Sequence, residues 1–360
     1  MRPLVTVHVS TRRDLRGGEN QVLMLAEGLR ARGHRAILFA PAAGALAACA
    51  RRSGTEVVDI PARSEADLRS ILAMRSRLLS TRPDVVHLHD ARAVTLGGIA
   101  ARIVRLRAVV ATRRVVFPLR GAWKWRRLLS RVIAISEAVR AELLKAGVAE
   151  EAIRLVRSAA DPRRIEGGDA SRGRKALDLG DGPVVLCVAA LTEEKGHACL
   201  LEAFAKACKR LPGASLVLAG EGPLEPMLRL RAEALGIGPR VVFAGRRDDI
   251  GDLMAASDLF VLASRQEGLG SSVLDAMWCG LPVVVSGAGG LPEAVGDCGR
   301  IVPVGDTDAL ARAIVEALTD RETTLRLARE GSERARRLFS PDAMVEGTLA
   351  VYRELLETGA

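Results

Sequence analysis

The residues best suited to chemistry lie together in one segment, SRQEGLGSSVLDAMWCGL, from Ser264 to Leu281. Gly268, Leu269 and Gly270 form a glycine-rich loop, and Ser271 and Ser272 lead from it into a helical pattern. Such a loop can hold a diphosphate. Glycines let the backbone approach the oxygens, and amides at a helix start donate hydrogen bonds. The helix dipole adds about 0.3–1 kcal/mol. Two carboxylates bracket the loop, Glu267 just before it and Asp275 in the second turn of the helix. A carboxylate accepts from a pair of hydroxyls, so one acid can hold a sugar near the phosphates and the other a ribose. In isolation the same spacing reads as a loop charge and a solvated helix residue. A lone lysine such as Lys195, in LTEEKGHACLLEAF, reads by itself as a solvated charge.

Strands and helices must position these groups. Short apolar, β-branched runs alternate with amphipathic patterns along most of the chain. In the first half the spacing predicts strands at Leu4–Val9, Ala36–Ala40, Val57–Ile60, Val85–Leu88, Ala108–Ala111 and Val132–Ile135, with helices such as Gln21–Arg32 and Leu68–Ser80 between them. Asp161–Pro183, rich in Gly, Asp, Arg and Pro, breaks the pattern and reads as an interdomain linker with room for one helical turn. A second series follows. Its strands are expected at Val184–Ala189, Ser215–Ala219, Val241–Phe243, Leu259–Leu262, Val283–Val285 and Arg300–Val302. Its helices are expected near His197–Arg210, Leu224–Leu235, Asp248–Ala255, Ser271–Cys279 and Thr307–Ala317. This order implies an α/β protein with two doubly wound parallel sheets, each covered on both faces. Ligands in such sheets bind beyond the carboxyl ends of the strands, which predicts a site in a cleft between two facing domains. The expected domains are 1–163 and 164–340, with a terminal helix in 341–360 returning to the first.

The length of 360 residues suits two domains rather than one core. With 49% hydrophobic and 27% charged residues the chain has a globular composition, and at 3% aromatics the core must be filled by Ala, Val and Leu. The six cysteines form no CxxC pair and read as small hydrophobes in a reducing cytoplasm. MRPLVTVHVS lacks the pattern of a signal peptide, and no apolar run reaches the roughly 18 residues of a transmembrane helix. The expectation is a cytoplasmic protein. Charge is uneven: residues 1–165 hold 31 Lys and Arg against 14 Asp and Glu, and residues 166–360 hold 22 against 29. A cationic first half points to an anionic surface or substrate.

With its flanks, the segment at Glu267 resembles the family 4 (group 1) retaining glycosyltransferases. Their mark is a Glu-x7-Glu pair within EG-x-x-x-S-x-L-E-A-M-x-x-G-x-P-V-V; this chain reads EGLGSSVLDAMWCGLPVVV, with Asp275 replacing the second Glu. The resemblance continues through LTEEKGHACLLEAF, LVLAGEGPLEPML, VVFAGRRDDI and GGLPEAV, and in the first half through RGGENQVLMLAEGLRARGH, DVVHLHD and VIAISEAVRAELLKAGV. It implies the GT-B fold, two facing Rossmann-like domains, and transfer of a hexose-type sugar from a nucleotide-sugar donor to a glycan or glycolipid acceptor. Retention of configuration is implied by the resemblance alone. Lys195 and Glu267 are then the expected catalytic residues. Gly17, Gly18, Lys195, Gly268, Leu269, Gly270, Ser271, Ser272 and Asp275 are expected to bind the donor, with Phe243 to Arg246 beside its base. Two positions depart from the family. Ala189-Ala190 stands where a Gly-Arg is common, and Thr112-Arg113-Arg114 stands where many members carry a histidine. Arg113 and Arg114 are therefore candidates for an acceptor anion or for the lost phosphate cation.

Neither a metal nor a cofactor is expected. His87 and His89 point to one side of a strand, but the neighbouring sequence offers no further ligands. An acidic DxD pair in a loop setting is absent as well. Between Ala91 and Ser136 the chain has eleven Arg and Lys and no acid. Within that run FPLRGAWKWRRLL mixes Phe117, Trp123 and Trp125 with Arg120, Lys124, Arg126 and Arg127, a composition suited to an anionic membrane surface on the cytoplasmic side. A lipid-linked or lipopolysaccharide-type acceptor would fit such a surface. The alternatives are a non-catalytic nucleotide-sugar-binding protein and a nucleic-acid-binding protein. Nucleic acid is disfavoured because no recognition motif accompanies the basic residues. A dehydrogenase is disfavoured because GxGxxG follows neither domain's first strand.

Overall fold

The computed structural model describes residues 2–62, 64 and 67–357. They fall into two compact units. One takes the chain as far as Ala159 together with the stretch from Pro341, and the other is Ala160–Ser340. The last three residues of the expected terminal segment 341–360 lie outside the described residues.

The first unit is built on seven strands: β1 (Val5–Val9), β2 (Arg35–Ala40), β3 (Glu56–Asp59), β4 (Val85–Leu88), β5 (Val109–Arg113), β6 (Arg131–Ala134) and β7 (Ile153–Leu155). They pair in parallel in the order β3-β2-β1-β4-β5-β6-β7. The last strand is too short to be seen in the sequence pattern; it extends the sheet beside β6. Parallel strands must be covered on both faces, and the residues comply. On one face Leu4, Val85, Val110 and Ile133 join Leu25 and Leu29 of helix Gly17–Ala31 and Leu349 and Tyr352 of helix Pro341–Glu357. Each such buried side chain contributes about 1.5–3 kcal/mol. The two helices cross closely: a Cβ on Gly28 would lie 2.5 Å from Val345 Cγ2. Val22, Leu23, Leu38, Leu46 and Ala50 form a second cluster around helix Ala45–Arg52.

The second unit has six parallel strands: β8 (Val184–Val188), β9 (Ser215–Ala219), β10 (Val241–Gly245), β11 (Leu259–Leu262), β12 (Val283–Ser286) and β13 (Arg300–Val302). Their order, β10-β9-β8-β11-β12-β13, is the Rossmann-like order of the first sheet about its own first strand. Three of this unit's helix starts carry acidic caps, at Asp169, Asp306 and Asp320. Asp306 accepts from the Ala309 amide at 2.8 Å ahead of helix Thr307–Thr319, and such a cap stabilises by about 1 kcal/mol.

Asp161–Pro183 is not the linker its composition predicts. It holds two helices, Pro162–Ile165 and Ala170–Ala176, within the second unit. A Cβ on Gly168 would lie 2.1 Å from Gly251 O, and one on Gly173 would lie 2.3 Å from Asp252 O. These glycines are present because backbone packs on backbone, and Arg172 pairs with Asp252 across the same contact at 2.7 Å. Helix Gly17–Ala31 also begins earlier than expected, so Gly17 and Gly18 form its first turn rather than a preceding loop.

Candidate functional site

The candidate groups of the second unit collect past the carboxyl ends of β8 and β11. After β8 the chain makes a short 3-10 turn, Glu193–Lys195, and passes through Gly196 at φ +67°. A Cβ there would lie 2.0 Å from Ala263 O, so only glycine lets this turn seat against the end of β11. The Arg265 amide donates to Glu194 O at 2.7 Å and ties the two loops together. Lys195 and Glu267, far apart in sequence, thereby meet: Lys195 Nζ donates to Glu267 Oε2 at 2.6 Å. Glu267 is held on several sides. Its Oε1 accepts from the Gly268 amide at 3.2 Å, Ser264 Oγ lies 3.4 Å from Oε2, and its carbonyl accepts from the Gly290 amide at 3.0 Å. Gly289, at φ +54°, leaves no room for a side chain, since its Cβ would sit 2.0 Å from Glu267 O. The charged ends remain partly exposed, with 21% of the Lys195 side chain and 14% of the Glu267 side chain accessible.

Gly270 takes φ +84° and opens helix Ser271–Trp278. The Val273 and Leu274 amides already bond to Gly270 O, so the amides of Ser271 and Ser272 are the ones that precede the helical ladder. Leu269 is buried and contributes only backbone to this turn. Phe243 sits within β10 beneath Arg229, whose guanidinium carbon is 4.4 Å from the ring centroid. Arg246 is exposed just beyond Gly245 at the end of that strand.

Asp275 does not stand on a solvated face. It is 3% exposed, its Oδ1 accepts from the Asp161 amide at 2.8 Å, and Arg164 Nη1 is 3.9 Å from Oδ2. Burial, opposed by that amide and by Arg164, pushes its carboxyl up to about 7. The helix is buried around nearly its whole girth, from Val273 to Trp278, so its sequence offers no solvent-facing stripe from which the depth of Asp275 could be read.

In the first unit Gly18 lies against Arg114: a Cβ on the glycine would be 3.6 Å from Arg114 Cδ. Beneath Arg114 are three buried histidines. His8 on β1 and His87 on β4 are register partners, and His89 follows β4. Their ligand nitrogens lie within 4.8 Å of one another. The spacing within DVVHLHD could not reveal His8, which arrives by strand pairing. Every ring nitrogen has a partner. His89 Nε2 meets His8 Nδ1 at 3.0 Å, and His8 Nε2 meets Thr6 Oγ1 at 3.1 Å. His87 bonds Tyr352 and Thr112 at 2.6 Å each. Desolvation, with Arg114 adding to it, lowers His8 to about 3 and keeps His87 and His89 well below their ordinary range.

Arg113 points elsewhere. It is 6% exposed, donates to Phe117 O, and lies 5.6 Å from the Trp125 ring. Trp125 is also buried, and Lys124 turns inward to Ala91 O and to Thr95 Oγ1 at 2.9 Å. Val115, Phe117, Arg120, Trp123, Arg126 and Arg127 are among the exposed residues of this basic run.

Comparison with known proteins shows the family and the fold. The sequence profile of the Glycosyltransferase Family 4 matches residues 15–164, and that of Glycosyl transferases group 1 matches residues 171–334. A 2-deoxystreptamine N-acetyl-D-glucosaminyltransferase of Streptomyces fradiae is 30% identical over 300 residues, 75% of this chain and 71% of that protein. The chain belongs to the family 4 (group 1) glycosyltransferases. The lipopolysaccharide core biosynthesis glycosyltransferase LpsE of Rhizobium meliloti is 37% identical over 179 residues, 49% of this chain and 52% of the relative, so the match spans about half of that relative's length. The crystal structure of Anabaena HepE in complex with UDP and glucose shares the fold, with a TM-score of 0.84 at 23% identity over 99% of both chains.

Within this family frame, the groups that sequence reading missed are supporting ones. Ser264, Ser286 and Gly289 fix the loop at Glu267, and Asp161 and Arg164 surround Asp275. Nothing in the local sequence singles them out, because each is brought in by a neighbouring strand end or by the preceding helix. Ala189 and Ala190 supply no cation, and Lys195 is the cation beside Glu267. Among the described residues no helix is long and apolar enough to cross a membrane.

Proposed function

We propose that this chain is a metal-independent retaining glycosyltransferase that moves a hexose-type sugar from a nucleotide-sugar donor to a glycan or glycolipid acceptor of the cell envelope. The observation that carries the reading is the Lys195–Glu267 pair at the start of helix Ser271–Trp278, beside the Gly268–Gly270 turn. Cleavage of an anomeric bond leaves a diphosphate anion and an oxocarbenium-like centre, and stabilising the leaving charge is the main demand. Lys195, the Ser271 and Ser272 amides and the helix dipole are the groups that meet it. In the free protein Glu267 holds Lys195 within 2.6 Å. A donor phosphate would compete for the ammonium and leave Glu267 to accept from sugar hydroxyls. Asp275 is the candidate for the ribose, provided that donor binding draws it from the Asp161 amide.

The relative in Rhizobium meliloti, named for lipopolysaccharide core biosynthesis, supports an envelope acceptor. Exposed Val115, Phe117 and Trp123 beside Arg120, Arg126 and Arg127 support peripheral contact with an anionic membrane from the cytoplasmic side. Incubation with UDP-, GDP- and ADP-sugars without acceptor tests the enzyme reading. Slow release of one nucleoside diphosphate, unaffected by EDTA, is expected; tight binding with no turnover even over hours would leave a sugar-nucleotide-binding protein instead. Flotation with anionic and neutral liposomes tests the surface, and absence from both top fractions would remove the membrane.

A further inference from the structure

His197 follows Lys195 and Gly196 and opens helix His197–Ala207. It is 2% exposed, and its ring turns back toward the end of β8, where Nε2 lies 2.9 Å from Ala190 O. A carbonyl only accepts, so Nε2 carries the proton and donates it. Nδ1 is then a lone pair, and it is buried with no hydrogen-bond partner. Burial lowers the imidazole below its ordinary range; the Ala190 bond opposes this, Lys195 adds to it and Glu194 opposes it. The ring is therefore neutral at pH 7. A buried imidazole with an unpaired nitrogen is a costly way to fill space, and an apolar side chain would fill it without that cost. What the histidine adds is the directed bond to Ala190 O.

That bond closes a turn around Lys195. Ala190 O also accepts from the Thr192 amide at 2.9 Å, Thr192 O from the Lys195 amide at 3.2 Å and Glu193 O from the Gly196 amide at 3.2 Å. Neighbouring loops hold the same turn through their backbones. The Leu191 amide donates to Glu221 O at 3.0 Å, and the Arg265 amide to Glu194 O at 2.7 Å. A Cβ on Gly222 would lie 2.3 Å from Leu191 O, so that loop presses directly on the turn. At Ala190, where an arginine is common among family members, the anchor is a side chain, that of His197. Within residues 189–196 Lys195 is the only basic residue. An anion reaching this turn meets one ammonium, whose place depends on the turn staying closed. An open turn would add orientations that the lysine must give up on binding.

We propose that His197 is a positioning residue: by closing the turn on Ala190 O it holds Lys195 where the ammonium meets a nucleotide's phosphate, and it touches no substrate itself. The inference rests on the reading of Lys195 as the phosphate cation and adds a second residue to that role.

The test is a double-mutant cycle read by calorimetry on the full chain. The probes are UDP, GDP or ADP, whichever most raises the melting temperature, and the matching nucleoside. His197→Leu fills the space without a donor and should weaken the diphosphate about fivefold or more, with the nucleoside unchanged. His197→Gln places an amide N–H near the Nε2 position and should recover most of that loss. His197→Asn, one methylene shorter, should not, and Gln against Asn carries the comparison if the leucine variant does not fold. In a Lys195→Ala background His197→Leu should weaken the diphosphate less than about twofold, because the histidine acts through the lysine. Wild-type diphosphate affinity in folded His197→Leu or His197→Asn would overturn the proposal. So would an equal loss with and without Lys195, or an equal loss for the nucleoside, since either marks a general packing defect. If no diphosphate binds, or if Lys195→Ala leaves its affinity unchanged, the phosphate reading falls and this inference with it. A loss in Lys195→Ala with none at His197 removes the positioning role alone.

Discussion

The two units bury opposite charges and resolve them in different ways. The first holds half-buried Arg114, whose Nε is covered without a hydrogen-bond partner; the second encloses Asp275, with Arg164 no nearer than 3.9 Å. Desolvation acts on both. It lowers the guanidinium to about 10, still charged at neutral pH, and raises the carboxyl to about 7, where a proton is available. A buried carboxyl can settle its charge by protonation. A buried arginine cannot, so its environment must stay neutral, as the three histidines do, or recruit an anion. The same solvent penalty therefore gives a proton-accepting acid in one unit and a cation set against neutral imidazoles in the other.

The two units should consequently respond to pH with opposite signs. The histidines are expected to give the largest effect, because three act together. In the unfolded chain each titrates near 6.5, whereas in the fold all three stay neutral. Their contribution is complete above pH 6.5 and is lost as pH falls below it. His8 alone should remove about 2 kcal/mol by pH 5, at about 1.4 kcal/mol per pH unit. Urea unfolding followed by Trp123 and Trp125 fluorescence in a Trp278→Phe background reads this loss in the first unit. A flat profile from pH 7 to 5 would contradict neutral buried histidines.

Next comes Asp275. The fold keeps its proton up to about pH 7 while the unfolded chain releases it near 3.8. Stability of the second unit should fall between those values as pH rises and then level off. From pH 5 to 7 the loss is at most about 3 kcal/mol. Asp275→Asn should flatten that slope in unfolding monitored by Trp278. An unchanged slope would place the titration elsewhere.

The smallest effect belongs to a charge that is already paired. Glu354 accepts from Arg154 and Arg131, and the Arg154 hydrogen bond is the chief reason its carboxyl falls to about 2. Its side chain is 30% exposed, so solvent screens the pair, and Glu354→Gln should cost less than about 1 kcal/mol at pH 7. This contribution is present above its unfolded value of 4.5 and is lost as pH falls toward 2. The histidine slope between pH 7 and 5 should survive the substitution, which separates the two effects.

Much of the framework was legible because parallel strands buried on both faces read as continuous β-branched runs. All six strands expected in the second half are present, and in the first half only β7, three residues long, escaped. The glycines of 161–183 misled because sequence does not distinguish a glycine that loosens a chain from one that lets backbones touch. The loop at Glu267 was legible from its glycines and bracketing carboxylates, and Lys195 only through the family resemblance; their ion pair joins the two segments. The burial of Asp275 and the arrival of His8 beneath Arg114 were not legible. The first depends on a helix wrapped on all sides, and the second on register between β1 and β4.

The central claim is that Lys195 meets the phosphates of a nucleotide. Calorimetry can test it with the nucleoside diphosphate that most raises the melting temperature, alongside the matching nucleoside, on wild type and Lys195→Ala. The account predicts at least a tenfold loss for the diphosphate and no change for the nucleoside. Equal diphosphate affinity in the two folded proteins would contradict it.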